Sequence, residues 1–495
     1  MGIIRKQSSI NTILTYIGFG IGFINVILLY PKLLTKEEFG LTRLFIELGD
    51  ITTGVILFGV PSVIIRFFPY YKKNKDNDLL SVGLFFCTLT LTVCFALIFI
   101  FRDTIVARYC TDSALFAEYY YLVFIIIFFN VYLLIFNHYT IANEETIIGI
   151  IGQQVINRLF PLILLLFFAL GFINFHIFIY LFTFNSFVQL IVLLAFMKAK
   201  NLLHFNFNIS ATTRSFLKPM TIYGLSIYVV LVVEILAQSI QVLTISHLHG
   251  IGNTAVYTVA SYIAQIIQIP QRSIAVIALP IFAKSWAEDD FANINMVFKK
   301  SSLNLTILGV FLFLVINSNL HNIFNIVGQD YHDGINICIL MSFAYIIDLA
   351  FGLNNEIITT SRYWRFNSIT HIFLLAMLIP TNYYFIKLFG INGAAYSLII
   401  SLLIYNSWRT LFLYKKHKLF PFSMTHFILV LYGGVVFMVT KWIPDLNIIK
   451  DNVIINNLIP IIIKSGFIFI TFLVPIYFLK VSEDLNNMID SLLRR

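Results

Sequence analysis

Apolar runs of about twenty residues, separated by short polar segments, recur along the whole chain, and that is the length an α-helix needs to cross a bilayer. They predict spans at 10–30, 42–68, 79–101, 114–137, 147–171, 175–197, 217–246, 253–283, 302–323, 334–356, 366–388, 391–414, 424–443 and 455–480. Membrane strands would instead alternate at every second residue over about ten positions. The expected fold is an all-α polytopic membrane protein with about 14 transmembrane helices. The connections are too short to hold a further domain.

The second span carries the densest pattern. In the segment 41–78, LTRLFIELGDITTGVILFGVPSVIIRFFPYYKKNKDND, Arg43, Glu47 and Asp50 precede an apolar run interrupted by Gly54, Gly59 and Pro61. Arg66 comes next, and then the basic cluster Lys72, Lys73 and Lys75. Residues 44–68 would extend about 36 Å as a helix, which leaves Arg66 inside the membrane end. On a continuous helix Thr52, Gly59, Ser62 and Arg66 share one face. A polar face on a membrane helix looks towards protein or water, which suggests a pathway. Glu47 lies four residues after Arg43, so a surface ion pair is its expected role.

Other spans carry comparable stripes. Thr254, Thr258, Ser261, Gln265, Gln268 and Arg272 succeed one another at steps of three and four in the eighth span, just where Pro270 interrupts it. The seventh holds Glu234, Gln238 and Gln241, with Tyr223 three turns earlier on the same face. Hydrogen bonds between tightly packed helices would account for a few such residues. Two successive stripes that include ions point instead to a water-accessible cavity. The fifth span adds Gln154 and Arg158 before Pro161, and the tenth adds Asp348, Gly352 and Asn355 with Glu356 near its end. Arg158 is expected either to pair with an acid such as Glu234 or Asp348 or to contact substrate. Glu234 and Asp348 are candidates for carrying a coupling proton or sodium ion. Glu356 and Lys464 read as side chains that snorkel to an interface. His138, His176 and His371 read as satisfied polar groups, and Gly18 with Gly22 as a close-packing face.

Composition and charge sharpen this picture. Of 495 residues, 59% are hydrophobic and 12% charged, far from the balance of a soluble domain. The net charge of +9 is spread over short clusters between spans, so no nucleic-acid partner is expected. Lysine and arginine favour one side by better than two to one, counting Arg409, Lys415, Lys416 and Lys418 there, which places both termini in the cytoplasm. The first span ends at Tyr30-Pro31 without a small-residue cleavage site and reads as a retained helix. The tail 483–495 reads as an amphipathic surface helix. Cys87, Cys94, Cys110 and Cys338 have no metal-ligand spacing, so no metal and no cofactor are expected. No GxxxxGK[ST] motif supports direct use of ATP, and no external loop carries a catalytic arrangement, so an enzyme is not expected.

The chain reads as two related six-helix halves, 1–205 and 206–420, with two further helices and a tail in 421–495. Each half has a first span, a short loop (PKLLTKEEFGL or HLHGIGNTAVY), and then a proline-interrupted span carrying Arg66 or Arg272. Paired halves with broken helices are a recurring transporter plan.

With these features, PKLLTKEEFGL, GVPSVIIRFFPYY and the stretch VYTVASYIAQIIQIPQRSIAVIALPIFAKSWAEDD (256–290) resemble the Wzx-like polysaccharide transporters. These belong to the multidrug/oligosaccharidyl-lipid/polysaccharide (MOP) exporter superfamily. The resemblance covers essentially the whole chain. It implies alternating-access export of an undecaprenyl-diphosphate-linked glycan across the cytoplasmic (inner) membrane, for O-antigen, capsule or another surface polysaccharide. It also implies a cationic cavity to which Arg66, Arg272 and Arg158 would contribute, with Gln238, Gln241, Gln265 and Gln268 nearby. The acids Glu234 and Asp348 depart from a purely cationic pattern. Two rivals remain: a multidrug cation antiporter of the same superfamily, and a membrane glycan polymerase or ligase.

Overall fold

Short-range signals account for most of the helices in the computed structural model, which describes residues 2–109, 114–206, 208–444 and 453–493. Cys110, Asp112, Lys450, Arg494 and Arg495 lie outside the described residues. Among those described, all regular structure is helical.

Helix α1 (Gly2–Phe23) continues through a π-helical turn, Ile24–Leu29, into Tyr30–Leu33. Thr35 then caps α2 with a reciprocal capping box to Glu38, which satisfies backbone donors that a helix start leaves free. Helix α2 comes in two pieces, α2a (Lys36–Leu57) and α2b (Val60–Asn74), bent by 43°. Both residues at the break, Phe58 and Gly59, adopt left-handed backbone angles (φ 47° and 78°), and Pro61 opens α2b. Gly59 tolerates this conformation, and proline suits the first turn of a helix. The interruption expected near Gly59 and Pro61 is therefore a true break. Because of it, Thr52 and Arg66 do not lie on one continuous helical face.

The chain continues through α3 (Leu79–Ile100), α4 (Leu122–Ala142), α5 (Ile147–Ala169, with a π-helical turn), α6 (Phe175–Ala199) and α7 (Ala211–His249). Helix α8 (Ile251–Ala287) tightens to a 3₁₀ turn at Gln265–Gln268, immediately before Pro270. Next come α9 (Phe291–Asn317), α10 in two pieces bent by 47° (α10a, Gly334–Ala350; α10b, Asn354–Thr360), α11 (Trp364–Phe389) and α12 (Asn392–His417). The last long helices are α13 (Met424–Thr440) and α14 (Val453–Phe478). Helices thus occupy all the predicted stretches. Among the described residues ten helices are long and apolar enough to cross a membrane, or up to twelve if each bent pair is one span. This is a multi-pass membrane protein.

By its internal contacts the chain forms two units, Met1–Ala255 and Val256–Arg495. Helix α7 belongs to the first, where it packs on both pieces of α2. Small residues allow the approach. A Cβ on Gly59 would meet the Gly224 carbonyl oxygen at 2.4 Å, and one on Gly54 would meet Ile235 at 2.4 Å. Gly18 of α1 likewise sits against the Gln154 carbonyl of α5, in keeping with the close-packing face read from the sequence. A polar clamp fixes the start of α7. Asp78, fully buried, accepts from the Ser210 amide at 2.9 Å and from the Thr213 hydroxyl at 2.6 Å. Tyr71 bonds Thr213 at 2.6 Å, and Asn74 donates to Thr212 at 2.7 Å. In the second unit the tail helix Glu483–Leu493 docks on α9. Asn304 bonds both Ser482 and Asp484, and Lys300 reaches Glu483 and Asp484. The tail is therefore held by protein as well as amphipathic.

Candidate functional site

In the first unit, α2 and α7 place most of the candidate residues. The bend in α2 turns Arg66 towards α7, where its guanidinium lies 4.1 Å from the centre of the Tyr223 ring. The side chain is otherwise exposed. An aromatic face receives a cation while leaving its N–H donors free. Arg158 is half-buried and donates to both oxygens of Gln154, one turn earlier, at 2.6 Å (side chain) and 3.1 Å (backbone). Its own carbonyl accepts from Asn25, in the π-helical turn that follows α1, at 2.7 Å. Those bonds tie Arg158 to the packing of α1 on α5. The stripe on α7 divides: Glu234 and Gln238 are exposed, whereas Gln241 is buried.

A cavity of about 330 Å³ opens between α2, α4 and α7. Glu47, Asp50 and Thr53 line it from α2a, Ser62 from α2b, His138 from α4, and Gln238 and Ser239 from α7. The expected pairing of Glu47 with Arg43 is not the arrangement formed. Arg43 instead lies over the stacked rings of Tyr30 and Phe39, at 5.3 and 5.2 Å, and Glu47 faces the Ser239 hydroxyl. Asp50 accepts from Asn130 at 3.4 Å, and Asn130 in turn accepts from Ser186 of α6. His138 is held by the Leu134 carbonyl at 2.8 Å, a satisfied polar group as expected; His176 similarly meets the Tyr119 hydroxyl at 3.1 Å. A second cavity, of about 300 Å³, lies near the ends of α2b, α4 and α6, where Lys72, Lys75, Asp76 and His204 are among its lining residues.

The stripe on α8, which lies in the second unit from Val256 onwards, also divides. Thr258 and Ser261 are buried, as is Thr254 at the head of the helix. Thr254 and Ser261 bond back to carbonyls of the preceding turn at 2.6 and 3.0 Å. These residues serve helix packing and do not line water, which corrects the continuous wet stripe read from the sequence. Beyond them the 3₁₀ turn rotates the rest of the helix: Gln265 and Gln268 are half-buried, and Arg272 is exposed. Gln268 donates to Asp348 of α10a at 3.2 Å, and Asn406 of α12 donates to the other carboxylate oxygen at 2.8 Å.

That carboxylate starts a network that sequence reasoning missed. Asn406 accepts from Asn354 at 3.0 Å. One turn further along α12, Arg409 is 2% exposed and donates to Asn355 at 2.8 Å, to Thr370 at 3.2 Å and to Asn367. Its guanidinium also lies 4.2 Å from the centre of the Tyr405 ring. Arg409 is therefore an interior cation and not a loop charge like its neighbours Lys415, Lys416 and Lys418. His371 is satisfied by the Asn367 carbonyl at 2.9 Å and by Tyr405 at 3.4 Å. Glu356 and Lys464 do not snorkel outwards. One Glu356 oxygen is buried without a hydrogen bond, and Lys464 is 7% exposed. Among the described residues no group of three or more acids, histidines or cysteines could hold a metal, and Cys87, Cys94 and Cys338 are free thiols.

Comparisons place this architecture. Residues 4–286 match the family model described as polysaccharide biosynthesis protein. No curated protein sequence matches significantly. Among solved structures, the lipid II flippase MurJ in an inward closed conformation superposes with a TM-score of 0.69 at 14% identity, covering 93% of this chain and 98% of that one. An inward-facing multidrug resistance MATE family transporter of the MOP superfamily superposes with a TM-score of 0.59 at 13% identity, covering 88% and 98%. Matched by that family model over more than half its length, the chain belongs to the polysaccharide biosynthesis protein family, and it carries the fold shared by the MOP-superfamily transporters.

Proposed function

We propose that this protein is a non-enzymatic flippase that exports a lipid-diphosphate-linked oligosaccharide by alternating access. Its membrane would be the cytoplasmic one, the lipid undecaprenyl diphosphate, and the product a surface polysaccharide of the O-antigen or capsule type. The observation that carries this reading is the state of Arg66 and Arg272. Arg66 follows the proline-marked break in α2 and Arg272 the tightened turn before Pro270; both are exposed, and among the described residues neither is ion-paired to an acid. A guanidinium inside a membrane protein is costly unless an anion uses it, and its planar fork suits a diphosphate. Asp348 is hydrogen-bonded by Gln268 and Asn406, and the cation that acts on it from farther away is Arg409, which leaves Arg272 for another anion. The basic cavity at Lys72, Lys75 and His204 fits an anionic headgroup at the membrane surface.

The antiporter reading would instead make Glu234 and Asp348 the substrate-binding acids. The test is glycan export by membrane-inserted variants. Arg272→Ala and Arg66→Ala should each abolish export, while Arg272→Lys should retain part of it by keeping charge without the fork. Normal export by Arg272→Ala, or by Arg272→Ala combined with Asp348→Asn, would reject the diphosphate role. Export that fails in Asp348→Asn alone, through loss of its dependence on a proton or sodium gradient, would assign Asp348 to coupling.

A further inference from the structure

The break in α10 leaves one carbonyl that two different donors can claim. Ala350 ends α10a and Asn354 opens α10b. In a continuous helix the Ala350 oxygen would accept from the Asn354 amide, four residues further on. In the bent form it accepts instead from the Ser302 hydroxyl of α9, at 2.6 Å. Ser302 is fully buried, and a Cβ on Gly352, in the break, would meet the Ser302 Cβ at 3.0 Å. Gly352 has φ 66°, and glycine passes between left-handed and helical angles at little steric cost. The bend is therefore not locked by its own backbone. It is held from outside.

A second observation shows what holds Ser302. The Nε2 atom of His426, on α13, lies 3.0 Å from the Ser302 hydroxyl. Serine has a single hydroxyl proton, and Ser302 gives it to Ala350, so Nε2 is the donor in this contact. The other ring nitrogen agrees, since Nδ1 accepts from the Ser423 amide at 3.1 Å within the capping box that starts α13. The cap of α13 thus fixes the imidazole tautomer, the tautomer fixes the direction of the Ser302 proton, and that proton holds the Ala350 carbonyl. Phe422, just before the cap, also meets Phe351 in the break edge to face, with ring centres 5.0 Å apart.

We propose that Ser302 and His426 form a latch by which α13 keeps α10 bent, and that releasing the latch lets α10 close into one straight helix. The two sides of the break hold different groups. Asp348 on α10a is bonded by Gln268 and Asn406, and Asn355 on α10b receives Arg409. Straightening turns these two sites relative to each other, a hinge movement of the kind that alternating access draws on. The latch rests on the transport reading only for the use made of this movement.

The test is hydrogen exchange at the Leu353 and Asn354 amides, resolved by fragmentation mass spectrometry, in the full chain in lipid nanodiscs without glycan. A released latch lets both amides join a continuous helix, so Ser302→Ala and His426→Asn should slow their exchange about tenfold or more. Asparagine keeps an acceptor for the Ser423 amide and loses the donor to Ser302. Glutamine does the reverse, so His426→Gln should exchange like the wild type. Damage to the fold would speed exchange, the opposite sign. Unchanged or faster exchange in both Ser302→Ala and His426→Asn overturns the proposal. Slowing in Ser302→Ala alone, or equal slowing in His426→Asn and His426→Gln, overturns the part given to His426 and α13. Because no export is measured, failure here leaves the assays on Arg66 and Arg272 untouched.

Discussion

The Arg66 guanidinium lies 4.1 Å from the centre of the Tyr223 ring, joining the bent half of α2 to α7 within the first unit. A cation–π contact at an exposed site contributes about 0.5–1 kcal/mol and holds the charge in place without using its hydrogen-bond donors. Tyr223→Phe keeps the ring face and should leave export near wild type. Tyr223→Leu removes the face and should lower export about two- to fivefold, the equivalent of roughly 0.5–1 kcal/mol. Equal export by the two variants, measured at matched membrane levels, would show that the ring does not position Arg66.

Orientation is set by the basic clusters and can be read directly. Reporter fusions after Asn77, Asp290 and Lys416 should report the cytoplasm, and fusions after Thr35 and Gly250 the opposite side. Cytoplasmic activity of the Gly250 fusion would reverse the orientation and move Arg66 to the other membrane face.

The break in α2 makes a sharper demand on stability. Gly59 has φ 78°, and a Cβ there would lie 2.4 Å from the Gly224 carbonyl oxygen of α7. Left-handed backbone alone costs a non-glycine residue about 1–2 kcal/mol, less for asparagine. The clash adds to that for any side chain. Both Gly59→Ala and Gly59→Asn should therefore lower the melting temperature of the purified protein. Full stability of Gly59→Asn would mean that the backbone angle matters and the close approach does not.

Legibility in the sequence depends on whether a neighbour along the chain or a neighbour in space decides the outcome. The break near Gly59 and the loosened turn before Pro270 are readable, because glycine and proline act on their own backbone. The consequence of the first is not. Continuous helical spacing puts Thr52 and Arg66 on one face, and the break separates them. The four-residue rule assigns Glu47 to Arg43, but the aromatic pair Tyr30–Phe39, brought together by the turn between α1 and α2, takes the guanidinium instead. The spacing Glu47–Asp50–Thr53, three residues at each step, is the available sign of an acidic lining. Arg409 is hidden by its proximity to Lys415, Lys416 and Lys418. Tyr405 and Asn406, on the preceding turn, are the sign that this arginine belongs inside.

The clamp at Asp78 gives a pH dependence outside the membrane spans. Burial by itself would push the Asp78 carboxyl up. The Ser210 amide and the hydroxyl of Thr213 outweigh that and hold it below the usual carboxylate range. A folded value below the unfolded one adds stability that is complete above the unfolded value, near 4, and is lost as pH falls through the folded value. Asp78→Asn should therefore be less stable than the wild type at neutral pH, with the difference shrinking on acidification below about pH 4. Melting curves of the two proteins across that range provide the check, and a constant difference would exclude the ionised carboxylate as the cause.

Arg409 is a large, buried cation tied to three neighbouring side chains. It is 2% exposed, and its three side-chain hydrogen-bond partners, Asn355, Thr370 and Asn367, are neutral. Asp348 and Glu356 act on it from farther away. Replacing it with methionine keeps much of the volume and removes a buried charge, which can by itself be favourable. Against this, the oxygens of Asn355 and Asn367 would lose their donor in a site closed to water, at about 1–3 kcal/mol for each group left unsatisfied. Lysine keeps the charge but has no planar fork to span α10b and α11 together. The expected order of melting temperatures in detergent is wild type, then Arg409→Lys, then Arg409→Met. A methionine variant as stable as the wild type would mean that this arginine is held by the network without supporting it, and its retention would then have to be explained by transport.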